Sequence, residues 1–288
     1  MKSYKDYMLF NKLPHTWCAG CGHGIVLQSI AQVMADLDLD KHDIALVSGI
    51  GCFGRVDDYL DINCMHVTHG RALAAATGVA LGNPDLHVLC TMGDGDGTTI
   101  GGNHLIHACR RNIDLTVVVF NNNIYGMTGG QYSPIISNNY NYGQTGGQYS
   151  ATTPTHSITQ TSPYGHVEQN FDICKLAIAA GASYVGRATV YNPVLIRKLI
   201  KEGMQVQGFS LIEVMSDCPT HYGKFNKLGE ASKMMKLMND QSVTVAQAAK
   251  MTEEELAGKL VVGCLKNAPR EDYYTSYKKI IDAQEVEG

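Results

Sequence analysis

Apolar residues along this chain fall into short unbroken runs that alternate with longer amphipathic segments. Runs at 43–48, 87–92, 115–120, 184–190 and 209–215 have the length and β-branched content of buried strands. Between them, 25–37, 72–81, 102–112, 171–180 and 193–204 carry apolar residues at helical spacing. Ile25, Leu27, Ile30, Val33, Met34 and Leu37 make one face, and the last of these helices opens on Pro193. The alternation predicts an α/β fold, a mostly parallel sheet with helices on both faces. It continues to about residue 220. The remainder reads as helical, with Met234, Met235, Leu237 and Met238 and then Leu256, Leu260 and Val261 as its apolar positions. The expected division is an α/β domain over 1–227 and a helical C-terminal extension over 228–288.

The polar punctuation is more informative than the runs. The run at 87–92 ends in Gly93-Asp94-Gly95-Asp96-Gly97, and the run at 115–120 ends in Asn121-Asn122-Asn123. With the helix between them these form a βαβ unit whose polar ends share the carboxyl edge of the sheet. Glycines there let backbone N–H groups approach a phosphate. Asp94 offers a carboxylate oxygen, Asn122 an amide oxygen and Ile124 a backbone carbonyl. Two or three such oxygens, completed by diphosphate oxygens and water, make the octahedral shell that Mg²⁺ prefers. The nicotinamide fingerprint is absent, and no Gly-Lys-Ser/Thr follows to make a Walker loop.

Composition narrows the class. The 288 residues are 44% hydrophobic with net charge −4, enough for a sizeable core and without the basic excess of a nucleic-acid binder. No secretory leader or long uncharged apolar run is seen, so the expectation is a soluble cytoplasmic protein that does not engage a membrane. Nine cysteines in such a chain argue for reduced thiols or a metal site. Cys18 and Cys21 form a CxxC within Trp17-Cys-Ala-Gly20-Cys-Gly-His23-Gly24, just before a helix. Cys52 follows Ser48-Gly49-Ile-Gly51, and Cys218 precedes a proline; both follow a strand. Four thiolates converging at one sheet edge suit tetrahedral zinc or a [4Fe-4S] cube, and spacing alone does not choose. Cys90 and Cys174 read as core. His23 and His69 are candidates to face a phosphate, and His104 and His107 read as structural.

The string GDGD…IGGNH…HACRRN…NNNIYGMTGGQ, with Asn122 standing 28 residues after Asp94, resembles the thiamine-diphosphate motif of the 2-oxoacid:ferredoxin oxidoreductase β subunits. The resemblance spans 17–229 and includes WCAGCG, GIGC and CPT. It implies a thiamine-diphosphate-binding fold and a site of Cys18, Gly20, Cys21, His23, Gly49, Gly51, Cys52, His69, Gly93, Asp94, Gly95, Asp96, Asn122, Ile124, Tyr125 and Thr128. Within that site Asp94, Asn122 and Ile124 would hold Mg²⁺, and Cys18, Cys21, Cys52 and Cys218 a [4Fe-4S] cluster. The implied reaction is oxidative decarboxylation of a 2-oxoacid to acyl-CoA and CO₂, with coenzyme A as co-substrate and ferredoxin as electron acceptor. The strings CKLAIAAGASYV and NKLGEA incline toward the 2-oxoglutarate branch over pyruvate or branched-chain substrates. The glutamate that activates the cofactor is not recognisable here. The resemblance places it on an α subunit, with small γ and δ subunits as further possible partners, so no catalytic residue is assigned to this chain. Two other readings stand beside this one. One is a non-oxidative thiamine-dependent decarboxylase or synthase subunit with a zinc or empty cysteine site. The other is a zinc-stabilised interaction module. TGGQYS occurs twice, at 128–133 and 145–150; the spacing to the asparagines favours the first copy as the one touching the cofactor.

Overall fold

In the computed structural model of the chain, residues 2–127, 148 and 150–286 are described here, the last two by backbone alone. The apolar runs become β1 (Ile44–Ser48), β3 (His87–Gly93), β4 (Leu115–Asn121), β5 (Tyr184–Thr189) and β6 (Phe209–Met215). A short strand, β2 (Asn63–His66), has no apolar run and lies at the sheet edge, exposed along its length. The strands of the sheet lie in the order β2-β1-β3-β4-β6-β5-β8-β7, and β1 to β6 are mutually parallel. Every residue of β4 is buried, as its unbroken apolar run requires for a strand covered on both faces.

Helices α1 (His23–Asp36) and α5 (Pro193–Gln205) pack on each other over one face; α2 (Ala72–Gly82), α3 (Gly102–Arg111) and α4 (Ile173–Ala179) form a row over the other. Local chemistry sets their ends. The Asn192 side chain accepts from Leu195 N–H ahead of Pro193 and so starts α5. Asn112, in the left-handed conformation at φ 54°, stops α3. Its amide then ties the strand entrances together, accepting from Ser183 Oγ at 2.8 Å and Phe209 N at 3.0 Å.

The extension departs from the helical expectation. It does contain α6 (Ala231–Asp240), α7 (Val245–Ala248), α8 (Glu253–Leu256) and α9 (Tyr273–Val286), and Met234 is buried as expected. It also supplies β7 (Ser242–Thr244) and β8 (Leu260–Asn267), and β8 pairs antiparallel with β5. Leu256, Leu260 and Val261 share helical spacing, but Gly258 at φ 73° breaks the helix between them. The β-branched Val261-Val262 then continues as a strand. No helix among the described residues is long and apolar enough to cross a membrane.

From β1 the chain steps outward to β2, and then returns across β1 to β3. The carboxyl ends of β1 and β3 therefore flank a topological switch point, where an open parallel sheet leaves a crevice for ligands. Gly49–Cys52 and the Gly93–Gly97 turn both lie there.

Candidate functional site

The crevice is a cleft of about 290 Å³ including its open mouth, lined by His23, Gly51, Cys52, Phe53, Gly93, Asp94, Phe120, Asn122, Ile124, Gly126 and Met127. The ends of β1, β3 and β4 and the start of α1 thus deliver the cysteine-rich and the Asp/Asn-rich motifs to one place.

Three oxygens converge at its floor. In the orientation that satisfies its neighbours the Asn122 amide nitrogen donates to the Ile124 carbonyl at 2.6 Å and to Asp94 Oδ1 at 3.2 Å; turned over, its oxygen joins those two. Three acceptors facing one another repel unless the amide turns over to donate or a cation lies among them. Octahedral Mg²⁺ with oxygens at 2.0–2.1 Å sets adjacent ligands about 2.9 Å apart. The observed spacings bracket that value, so the residues fit the ion. The second oxygen of Asp94 is already used: Ser150 Oγ donates to Oδ2 at 2.5 Å and Thr152 Oγ1 at 2.6 Å. These bonds orient the carboxylate so that Oδ1 is left for the metal. Burial dominates these bonds and pushes the Asp94 carboxyl up to about 6. A bound cation would reverse that.

Asp94 is held in turn by a buried network. Thr152 Oγ1 also donates to Asn121 Oδ1 at 3.3 Å, and Asn121 Nδ2 donates to Glu213 Oε1 at 2.7 Å. Glu213 Oε2 accepts from Arg187 Nε at 2.6 Å, and Arg187 also pairs with Asp172. Asp172, Cys174 and Glu213 are the only His/Cys/Asp/Glu set among the described residues with ligand atoms within 4.8 Å of one another. The Arg187 guanidinium, paired with both carboxylates, supplies the positive charge there.

Cys52 lines the other end of the cleft, and Cys218, Cys21 and Cys18 lie near enough to it to act on its thiol. A methyl carbon placed on Gly126 would lie 3.2 Å from Cys52 Sγ, 3.3 Å from Asn122 Nδ2 and 3.9 Å from Cys218 Sγ. Cys21 N–H donates to Cys18 O at 3.1 Å, closing the CxxC turn, and Trp17 Nε1 donates to Cys52 O at 2.7 Å, fastening that turn to the β1 loop. Burial pushes the Cys21 thiol up to about 12 and raises Cys52 and Cys218 also, each thiol adding to its neighbours' shift. Tetrahedral zinc holds its sulfurs about 3.8 Å apart at Zn–S 2.3 Å. No three of these sulfurs come within 4.8 Å of one another, so the thiols do not stand in a zinc tetrahedron.

The other predicted residues are placed as follows. His23 is buried, its Nδ1 3.0 Å from Ser216 Oγ and its ring edge-on to Phe120; burial lowers it to about 4, so it lines the cleft as a neutral group. Tyr125 lies over Gly95, donating its hydroxyl to Gly95 O at 3.1 Å; a Cβ at Gly95 would meet the ring at 2.3 Å. Asp96 and His69 bind each other rather than the cleft: His69 Nδ1 donates to Asp96 Oδ1 at 2.6 Å, and Gly70 N–H donates to the same oxygen at 2.8 Å. Gly49 backs onto the Asp96 carboxylate, and Gly20 is wedged against Pro219 and Ala231. Thr128 and the first TGGQYS copy lie outside the described residues. From the second copy, Gln148 O accepts from Tyr125 N–H at 2.9 Å and Ser150 reaches Asp94. Sequence reasoning passed over Ser150, Thr152 and Glu213. The ATTP continuation after the second copy was the available signal for the first two.

Residues 49–214 match the family model described as thiamine pyrophosphate enzyme, C-terminal TPP binding domain. The 2-oxoglutarate synthase subunit KorB of Methanocaldococcus jannaschii is 45% identical over 276 residues, 96% of each chain. The chain belongs to the β subunits of the 2-oxoacid:ferredoxin oxidoreductases. A second relative in this family, the 2-oxoglutarate synthase subunit KorB of Archaeoglobus fulgidus, is 56% identical over 76% of this chain and 75% of its own. A solved 2-oxoglutarate:ferredoxin oxidoreductase from Magnetococcus marinus, with 2-oxoglutarate, coenzyme A and succinyl-CoA bound, superposes with a TM-score of 0.84 at 32% identity, over 99% of this chain and 91% of that one.

Proposed function

We propose that this chain is the thiamine-diphosphate-binding β subunit of a 2-oxoglutarate:ferredoxin oxidoreductase, which converts 2-oxoglutarate and coenzyme A to the acyl-CoA and CO₂ and passes the electrons to ferredoxin. The observation that carries the reading is Gly126, a single point beside which Cys52 Sγ, Cys218 Sγ and the Asn122 side chain all lie within 3.9 Å. An electron-accepting cysteine site and a diphosphate-metal site in contact are what oxidative, rather than non-oxidative, decarboxylation needs. The substrate branch rests on the names of the relatives.

Thiamine diphosphate, when bound, supplies the electron sink that lets a 2-oxoacid lose CO₂, and an iron–sulfur cluster supplies one-electron acceptance. This chain's residues do the rest of the positioning. Asp94 Oδ1, the Asn122 amide oxygen and the Ile124 carbonyl would hold Mg²⁺. Ser150 and Thr152 fix the Asp94 carboxylate so that little reorganisation accompanies binding. Cys18, Cys21, Cys52 and Cys218 would hold the cluster, and loading it releases the protons that burial keeps on Cys21, Cys52 and Cys218. His23, neutral, and Phe120 exclude water from the wall of the cleft.

No glutamate is among the residues lining the cleft, which supports an α subunit as the source of the cofactor-activating acid. The exposed β2 edge with Met65, and Ile50 in the β1 loop, offer an uncovered apolar rim for it: Met65 is 47% and Ile50 40% exposed. The test is anaerobic co-expression with the α subunit and CoA-dependent reduction of a low-potential dye, with 2-oxoglutarate and pyruvate in parallel. Reduction requiring CoA and 2-oxoglutarate is expected. Reduction with pyruvate alone would reassign the substrate, and iron-free protein that still decarboxylates would favour the non-oxidative reading.

A further inference from the structure

The chain is acidic overall, with 27 Asp and Glu against 23 Lys and Arg, yet the stretch 219–238 holds four lysines, Lys224, Lys227, Lys233 and Lys236, and one acid, Glu230. All four lysines are exposed, and none forms an ion pair within the described residues. The placement of this stretch is specific. A Cβ on Gly20, inside the Cys18–Cys21 turn, would lie 2.6 Å from Ala231 Cβ and 3.7 Å from Pro219 Cγ. Both ends of the loop that carries Lys224 and Lys227 therefore abut the turn. Lys233 and Lys236 follow on the first two turns of α6, whose positive N-terminal end, at Ala231, meets the same turn. The charge of Lys224 also reaches His221, one residue past Thr220 in the Cys218-Pro-Thr segment. Cys18 itself is exposed, so one end of the four-cysteine site opens onto this positive collar.

We propose that Lys224, Lys227, Lys233 and Lys236 form the docking surface for an acidic electron-carrier protein, which collects electrons at the Cys18 edge. The inference rests on the assignment of Cys18, Cys21, Cys52 and Cys218 as cluster ligands. One electron leaves the reduced cluster and reduces the carrier's own iron–sulfur centre; no bond forms or breaks. Uncompensated like charges on an otherwise acidic chain repel a second copy less than they attract an acidic partner, and their field speeds encounter. Electron transfer falls steeply with distance, so a carrier steered to this collar meets the most exposed of the four ligands.

The test uses the αβ holoenzyme with two acceptors, an acidic two-cluster ferredoxin and methyl viologen. Lys224→Glu, Lys227→Glu and Lys233→Glu are combined in one variant. A charge-matched control carries Arg110→Glu, Arg111→Glu and Lys278→Glu at the other end of the sheet. The reversal should lower kcat/KM for ferredoxin about tenfold to a hundredfold at low salt, leave methyl viologen reduction within about twofold, and spare the control. The wild-type ferredoxin rate should itself fall as ionic strength rises from about 20 to about 300 mM. A reversed variant with wild-type ferredoxin kinetics, an equal loss in the control, or a salt-independent wild-type rate would overturn the proposal. The salt profile decides the matter if the variant does not fold. Wild-type enzyme that fails to reduce methyl viologen would instead refute the proposed reaction.

Discussion

Asp94→Asn should make the cofactor-free protein more stable while it destroys the metal site. Burial raises the Asp94 carboxyl from 3.8 to about 6, a difference worth about 3 kcal/mol at most. The sign follows from which form burial favours. A carboxyl raised on folding contributes stability that is fully present below pH 3.8 and is lost as pH rises through about 6. At neutral pH the wild-type chain therefore carries a buried ionised group whose compensation comes only with the cation. Asparagine does not titrate, so the cost of burying a charge disappears, and the Asn122 amide, free to turn over, can pair with either group across the 3.2 Å contact. The carbonyl oxygen can still accept from Ser150 and Thr152. The assay is thermal melting of the αβ complex stripped of thiamine diphosphate and Mg²⁺, from pH 4 to pH 8. The expected variant melts about 5 °C higher at pH 7.5, with no advantage near pH 4, and no longer gains stability from Mg²⁺ plus thiamine diphosphate. A variant that melts below wild type throughout, or that keeps the Mg²⁺-dependent gain, would refute the reasoning.

Other substitutions separate the parts of the site. Cys52→Ala should abolish iron incorporation and dye reduction yet leave Mg²⁺-dependent thiamine diphosphate binding within about threefold, because Asp94, Asn122 and Ile124 do not depend on the thiol; calorimetry and iron analysis check it. Glu213→Ala leaves the buried Arg187 with Asp172 alone and should destabilise by about 1–3 kcal/mol, whereas Glu213→Gln keeps the Asn121 contact and should lose less; urea denaturation ranks the two, and equal losses would contradict the network. Gly95→Ala drives a methyl into the Tyr125 ring and should cost about 1–3 kcal/mol, with a raised KM for thiamine diphosphate in steady-state titration.

The sequence carried the parallel sheet and the meeting of the Gly-Asp-Gly and asparagine turns because both have short-range signatures. Unbroken apolar runs mark buried strands, and Gly-Asp-Gly followed by paired asparagines marks two strand ends that a parallel sheet brings together. β2 escaped because Asn63-Cys-Met-His66, an exposed edge, has neither an apolar run nor clean alternation. β8 escaped because Leu256, Leu260 and Val261 mimic helical spacing across a glycine break. Ser150 and Thr152 bond to Asp94 from 56 and 58 residues away, and Glu213 to Asn121 from 92. Hydroxyls and a lone glutamate give no periodic signal; the ATTP continuation marked the segment of Ser150 and Thr152, but only the fold shows that it reaches Asp94. The Gly- and Pro-containing turns that carry Cys18, Cys21, Cys52 and Cys218 were legible; what the thiols hold was not, since spacing along the chain is the same for zinc and for a cluster.

The central claim is that one cleft holds a four-iron cluster and a diphosphate-bound divalent metal in contact. Anaerobic crystals of the αβ complex grown with thiamine diphosphate and Mn²⁺, measured at the iron and manganese absorption edges, test it directly. The expected result is a four-iron peak bounded by the sulfurs of Cys18, Cys21, Cys52 and Cys218, with a manganese peak beside Asp94, Asn122 and Ile124. A single-metal peak among the cysteines, or iron located only in another subunit, would contradict the account.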